Sequence, residues 1–393
     1  MLELLRIKID GFKMLEDNFT IDLTSKARVY QEDKTKEIRE VAKGLYVFRS
    51  NSFVGGNSSG KSSVLSLILK TLQFFQTGRW EYIPREFNKD FIRFEAIFYL
   101  DGILYSYDAD FHKLDPLLYS QTNRYSLIQN EHLYSLDFRK SHGAKDIDKI
   151  KDNGKNISSF LSSSLNDTSA IVKLTGKSVS VDDFSNNNFS AFNEVMLRKS
   201  FFNCLNSCSL KLSSSIIKLL DESIEYIKCE NADNVSFKRF GEDEMLIPNN
   251  ELVLILSAGT FRGVELYIRC INALKNGSTI IVDEIENSFQ KNLVYNLLFL
   301  FNDEKINSKG SKLIFGTHYV EILDYLTRRD GIFITHKENG KINVKNLYSD
   351  YEIRTELLKS KQFDNNVFNT SINYKQLLEV KRDLLDELQI NND

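Results

Sequence analysis

The chain has 393 residues, enough for two or three compact units with ample core. Hydrophobic residues at 42% and charged residues at 27% match a soluble globular protein, and a formal net charge of -3 excludes a global basic field for nucleic acid. Only 3 prolines and 18 glycines argue against long disordered linkers, and no apolar run reaches the roughly 18 residues of a membrane span.

In chain order, residues 2–24 alternate as a strand pair through Leu4, Ile7, Ile9, Phe19, Ile21 and Leu23, with a turn near Asp10-Gly11. The charged stretch 26–42 reads as a solvated loop or exposed helix. An apolar, β-prone run, Leu45–Phe48 and then Phe53-Val54, leads into Gly55-Gly56-Asn57-Ser58-Ser59-Gly60-Lys61-Ser62. That octet fits G-x-x-x-x-G-K-[ST], in which glycines let backbone N–H groups point at phosphate oxygens. Lys61 is placed to reach the β- and γ-phosphates of ATP, and the Ser62 hydroxyl to hold Mg²⁺. A helical pattern from Val64 to Leu72 puts Gly55, Asn57, Ser58, Ser59, Gly60 and Ser63 around a helix N-terminus, where the dipole favours anions. Phe91–Leu100 and Leu104–Tyr107 flank Asp101-Gly102, a strong hairpin signal.

From about residue 112 to 245 the composition shifts to Ser and Asn clusters between patterns that read as helical: Phe192, Val195, Met196, then Ile216, Ile217, Leu219, Leu220, Ile224 and Ile227. The expectation is three segments: an N-terminal part of a head (1–111), an inserted mainly helical subdomain (112–245), and a C-terminal part of the head (246–393). In the last, Leu252–Leu256 reads as a buried strand or the approach to a turn. A helix is expected from Thr260 to Lys275, a strand at Thr279–Val282, a helix near Gln290–Phe301, and a strand at Lys312–Phe315. Short apolar strands alternating with helices imply a parallel sheet covered on both faces, an α/β fold. Cys204 and Cys208 sit four apart, but without nearby ligands the cysteines read as free thiols. His112, His132, His142 and His336 read as surface residues.

Thr279–Val282 followed by Asp283-Glu284 has the form of a Walker B strand that delivers two acids to the sheet's C-terminal edge. Asp283 would bind Mg²⁺ through its shell, and Glu284 would orient the attacking water. Leu256-Ser257-Ala258-Gly259-Thr260 lies upstream and Gly316-Thr317-His318 downstream. With these motifs the chain resembles ABC-type ATPases of the SMC/RecF/OLD group, whose signature loop is L-S-x-G-[GQT]. More closely, it is similar to the compact AAA-labelled ABC ATPases of bacterial phage-defence and abortive-infection loci. The opening Leu4–Leu23 segment, Asp283–Phe289 against D-E-I-E-N-S-L, and Arg328–Phe333 against R-x-D-x-I-[WF] match as well. Gln290 and Lys291 depart from the family's His-Pro, and no Gln-loop residue can be assigned.

The resemblance implies a P-loop NTPase with an ABC-type head, a mixed sheet plus an antiparallel β-subdomain. It implies that Ser257, Gly259 and Thr260 cap the γ-phosphate held by a second copy, that His318 senses that phosphate, and that the chain forms at least an ATP-dependent head-to-head dimer. It further implies an ATPase that senses a trigger such as a phage protein and controls a separate effector, a Toprim nuclease or other toxin. A cytoplasmic location is expected because the N-terminus lacks a signal-peptide apolar region and no run is long enough to span a membrane. A RecF-like repair ATPase on duplex DNA and an ATP-dependent scaffold that sequesters a toxin are the alternatives; the charge does not support nucleic acid.

Overall fold

The computed structural model describes all residues except 82–85, 114–125, 141–143, 166, 185–200, 232, 288, 353–357, 369–373 and 389–393. The expected helix around Phe192–Met196 and His142 lie outside the described residues. Among those described, four sheets form.

The first sheet is antiparallel, with order β2-β1-β6-β7-β8-β9. Its strands are β1 (Glu3–Asp10), β2 (Phe19–Asp22), β6 (Phe91–Leu100), β7 (Ile103–His112), β8 (Leu127–Asp137) and β9 (Lys155–Asn156). The β6–β7 hairpin turns at Asp101 (φ 50°) and Gly102 (φ 90°), the two left-handed residues that a tight hairpin turn demands. A two-stranded ribbon of β3 (Ile38–Ala42) and β4 (Leu45–Phe48) stands beside it. The charged stretch therefore holds the expected exposed helix, at Gln31–Lys34, and then ends in a strand that was not expected. Ile38 is fully buried, and it anchors the ribbon despite its charged neighbours.

The second sheet runs β10-β14-β15-β5-β16-β17. It comprises β5 (Ser50–Val54), β10 (Val181–Phe184), β14 (Thr279–Val282), β15 (Lys312–Thr317), β16 (Ile332–Glu338) and β17 (Lys341–Asn346). All pairs are parallel except β16–β17. Every residue of β5 and β15 is buried, as strands covered on both faces require. A third sheet, the antiparallel meander β11 (Ile224–Cys229), β12 (Asn234–Arg239) and β13 (Met245–Pro248), completes the set.

The long helices are α1 (Lys61–Thr77), α2 (Leu210–Leu220), α3 (Asn249–Ile255), α4 (Ala258–Asn276), α5 (Lys291–Asn302) and α6 (Tyr374–Glu387). Helix α1 ends at Gly78, left-handed at φ 72°, whose N–H bonds Phe74 O. Phe74 and Phe75 on α1 pack against Phe94, Phe98, Tyr107 and Phe111 of the first sheet, which welds that sheet to the phosphate-loop helix. No helix among the described residues is long and apolar enough to cross a membrane.

Three expectations need correction. Among its described residues the 112–245 segment is not mainly helical: β8 and β9 extend the first sheet, β10 edges the second, and β11–β13 form the third. Ile224 and Ile227 lie three apart, a helical spacing, yet both are buried on one strand. A bulge between Ile224 and Tyr226 shifts the register and returns both side chains to one face. Leu252–Leu256 falls mainly on helix α3, because a short apolar run does not distinguish strand from helix by periodicity. His336 is no surface residue; it is buried on β16 with Nε2 at 2.5 Å from the Tyr351 hydroxyl. Cys204 and Cys270 are buried, and all four thiols are free.

Candidate functional site

Strands β5, β14 and β15 run parallel, so their C-terminal ends meet at one edge of the second sheet, the edge where open α/β sheets bind ligands. From β5 the chain enters the Gly55–Gly60 loop and then α1. From β14 it delivers Asp283 and Glu284, and from β15 it delivers His318. Three segments far apart in sequence thus converge on one place.

Within the loop, Ser58 (φ 58°) and Gly60 (φ 107°) take left-handed backbone. Gly60 is the N-cap of α1, and a Cβ on it would collide with Ile342 of β17. A Cβ on Gly55 would collide with the hydroxyls of Thr335 and Ser59, so both glycines are required by close approach. The Ser59 and Thr335 hydroxyls are 2.6 Å apart and buried, and Thr335 donates to Val54 O at 3.3 Å. Asn57, Ser58 and Ser62 are exposed, while Ser63 is half-buried in the first helical turn.

Lys61 is only 5% exposed. Its Nζ donates to Gly55 O (3.0 Å) and Gly56 O (3.1 Å) and lies 3.0 Å from His318 Nε2. A lysine can only donate, so the ring nitrogen that faces it accepts. Burial pushes the Lys61 ammonium down, and Asp283, Glu286 and Glu284 act against that. Burial pushes the Asp283 carboxyl up and the Glu284 charge adds to this, while a hydrogen bond from the Ser62 hydroxyl pulls it back. Ser62 and Asp283, the expected metal-binding pair, are therefore in direct contact. Gly316 keeps that spot open, since a Cβ there would stand 2.9 Å from Asp283 Oδ1.

Glu284 holds φ at 51°, a left-handed conformation that costs a non-glycine residue about 1–3 kcal/mol. Its Oε2 accepts from Asn287 Nδ2 at 2.5 Å. Glu286 accepts from the His318 backbone N–H at 2.5 Å and so fixes the turn after β15. Glu286 and Thr335 are positioning residues that motif reading alone did not assign. The first was visible inside the acidic motif; the second depends on the pairing of β16 with β5, which no local pattern reveals.

The Leu256–Thr260 loop occupies a different surface. Ser257 caps α4: its Oγ accepts from Thr260 N at 3.0 Å and lies 2.8 Å from Thr260 Oγ1. Ser257 and Gly259 are exposed. They line a cleft of about 540 Å³ together with Thr260, Glu286, Asn287 and Gln290; no residue of the phosphate loop lines it. Within the described part of the acidic motif, Asn287 and Gln290 are exposed; Ser288 lies outside the described residues.

The Arg328–Asp330 segment is a buried clamp remote from this chemistry. Asp330 accepts from Ser25 Oγ (3.0 Å), Lys26 N (2.9 Å) and Ala27 N (2.8 Å), and it pairs with Arg328 at 2.6 Å. It ties the strand-pair exit to the start of β16, which carries Thr335 to the phosphate loop.

Among solved structures, the chain is similar to the SMC head domain from Thermotoga maritima, at 14% identity over 89% of this chain and 100% of that one, with a TM-score of 0.44. It is also similar to an SmcHead bound to the C-winged helix domain of ScpA, at 13% identity over 88% and 97%, with a TM-score of 0.46. No curated protein matches. A family model described as "AAA domain, putative AbiEii toxin, Type IV TA system" matches residues 50–324, a span that runs from the first residue of β5 past His318. The chain belongs to this AAA family.

Proposed function

We propose that the chain binds and hydrolyses ATP with Mg²⁺, and that ATP joins two copies head to head. The observation that carries this reading is the convergence of Lys61, Ser62, Asp283 and His318 at one parallel-sheet edge. The N–H groups of Gly55–Ser63 cradle the phosphates, with Asn57 and Ser58 at the open rim and Ser59 held by Thr335. A triphosphate gives Lys61 an anionic partner in place of the loop carbonyls. Ser62 and Asp283 fit a hard divalent cation: a hydroxyl and a carboxylate in contact, with space preserved by Gly316. Bound there, Mg²⁺ supplies charge neutralisation for the phosphoryl oxygens.

Hydrolysis adds water across the β–γ bridge and yields ADP and phosphate. Glu284 orients the water and takes its proton, and the hydrogen bond from Asn287 holds the carboxylate at the rim of the site. His318 contacts the γ-phosphate from the end of β15. Ser257, Gly259 and Thr260 of one copy complete the phosphate loop of the other, since their cleft is open and their own loop does not line it. A ligand that binds only the joined state stabilises that state.

The family description names a putative toxin of a type IV toxin–antitoxin system, and it supports a setting in which this ATPase controls a toxic activity. We read the chain as the sensor and regulator of a separate effector, a Toprim nuclease or other toxin, in abortive infection triggered by a phage component. Phage plaquing on cells that carry the locus with Lys61→Ala or Glu284→Gln tests this. Loss of protection in both is expected, and full protection by both would overturn a nucleotide-driven role.

A further inference from the structure

Strand β16 has one face towards the phosphate loop and one towards the C-terminal segment. Successive strand residues point to opposite sides of a sheet, and Thr335 and His336 are such a pair. Thr335 sets its hydroxyl 2.6 Å from that of Ser59 in the loop. His336, only 6% exposed, turns the other way and places Nε2 2.5 Å from the Tyr351 hydroxyl. The Tyr351 ring meets Phe368 edge-on, with centroids 5.1 Å apart and planes at 84°, and Phe368 packs on Phe363 at 5.2 Å. Both phenylalanines are buried.

The same segment grips a second arm of the site. Lys359 Nζ donates to Leu326 O at 2.8 Å, and Ser360 N donates to Asp324 Oδ1 at 3.1 Å. Asp324 lies on the short helix Ile322–Tyr325, which follows closely on His318, the residue that faces Lys61. Residues 359–368, together with Tyr351, therefore join the two elements that touch the phosphate loop, strand β16 and the turn after β15.

His336 makes this seat titratable. Burial lowers its affinity for a proton, the Lys345 ammonium of β17 lowers it further, and the Glu338 carboxylate on its own strand opposes both. Lys345 also sits over the Tyr351 ring, 5.9 Å from its centroid. Burial, with the Asp350 and Glu338 charges, pushes the Tyr351 hydroxyl up, so it keeps its proton. Among the described residues these are the charged and titratable groups that bear on the pair. A neutral ring can accept the hydroxyl's hydrogen. An imidazolium can only donate, and it would stand buried beside Lys345. A histidine whose folded value is lowered stabilises the seated state fully above its free value of about 6.5. That contribution is lost as the pH falls from there through the lowered value.

We propose that His336 and residues 359–368 form a proton-sensitive brace of the phosphate loop: the segment is seated while His336 is neutral, and protonation of His336 unseats it and loosens the hold of Thr335 on Ser59. The seating needs no nucleotide; only its effect on affinity rests on the ATP reading above.

The test is hydrogen–deuterium exchange of the nucleotide-free, full-length chain at about pH 7.5 and about pH 5.5, corrected for the intrinsic pH dependence of exchange. Melting temperature and ATP affinity are measured alongside. Exchange in residues 359–368 should rise about tenfold at the lower pH, and exchange in residues 55–63 should rise with it. ATP affinity should fall several-fold more than in His336→Gln, a comparison that cancels protonation of the triphosphate itself. His336→Gln keeps an acceptor but cannot ionise, so its exchange should show no rise in acid. Lys345→Met should move the midpoint of the rise to higher pH and Glu338→Gln to lower pH, shifts that a merely structural contact would not produce. Tyr351→Phe keeps the ring on Phe368 and should raise exchange in residues 359–368 already at about pH 7.5.

Exchange that ignores pH, or that responds equally in His336→Gln, would overturn the proposal. Midpoints unmoved by Lys345→Met and Glu338→Gln would do the same, even if His336→Gln failed to fold. A response confined to residues 359–368, with ATP affinity tracking that of His336→Gln, would sever the brace from the phosphate loop. Absence of ATP binding at either pH, with both exchange responses present, would count against the ATP reading and uphold the brace.

Discussion

The sheet edge at β5, β14 and β15 and the cleft at the start of α4 each present a helix N-terminus suited to phosphate, but their own chain encloses only the first. At the sheet edge, Lys61 and Asp283 are buried, Thr335 presses on the phosphate loop from β16, and Ile342 closes over Gly60. At the cleft, Ser257, Gly259, Asn287 and Gln290 are exposed, with the half-exposed Leu219 beside them. Enclosure brings desolvation, which strengthens electrostatics and shifts Lys61 and Asp283 towards their neutral forms. Exposure leaves a surface that another molecule can complete. The difference fits the proposed reading, in which the first surface binds nucleotide and the second is completed by another copy.

The contrast predicts a graded series of effects. Lys61→Ala removes the charge at the centre of the enclosed surface and leaves the three acids around it uncompensated. ATP affinity should fall by about a thousandfold in a calorimetric titration, equal to roughly 4 kcal/mol. Unchanged affinity would mean that the loop does not hold phosphate. Glu284→Gln keeps the shape of the rim and its hydrogen-bonding capacity but removes the proton acceptor. Turnover should drop about a hundredfold or more while ATP still binds, and the joined dimer should accumulate in native mass spectra. Normal turnover would assign the base to another residue.

Ser257→Arg probes the exposed surface by itself. It removes the α4 cap, worth about 1 kcal/mol, and puts a bulky cation where a partner's loop would approach. Single-chain ATP affinity should stay within about twofold, while ATP-dependent dimerisation should weaken at least tenfold. If the variant joined as well as the unaltered chain, the two surfaces would not be halves of one site.

How much of this was legible beforehand follows from how local each signal is. The Asp283–Glu284 pair and His318 follow short apolar strands, whereas the phosphate loop was legible in its own octet, because the strand before it is Ser50-Asn51-Ser52-Phe53-Val54 and the apolar run Leu45–Phe48 lies in the separate ribbon. The β6–β7 turn was equally plain, because Asp101 and Gly102 are residue types that tolerate left-handed backbone. The middle of the chain was misread where local periodicity and tertiary structure disagree. A bulge at Ile224 imitates helical spacing, and the strand at Ile38–Ala42 is charged because only one of its residues is fully buried. Glu286 and Thr335 owe their roles to contacts across 32 and 276 residues of sequence, which no window of neighbours encodes.

Thr335 gives the finest test of what enclosure contributes. Its hydroxyl joins Ser59 of the phosphate loop to Val54 O at the end of β5, and all three groups are buried. Thr335→Val keeps the volume and the β-branched shape but leaves Ser59 Oγ without this partner. A lost hydrogen bond of this kind costs about 1 kcal/mol, more where the remaining group stays desolvated. If the bond serves the loop, the loss should appear as a several-fold weaker ATP affinity, with unfolding little changed. If it serves only the join between β16 and β5, thermal stability should fall and affinity should hold. The first outcome extends the enclosed surface to β16; the second confines it to β5, β14 and β15.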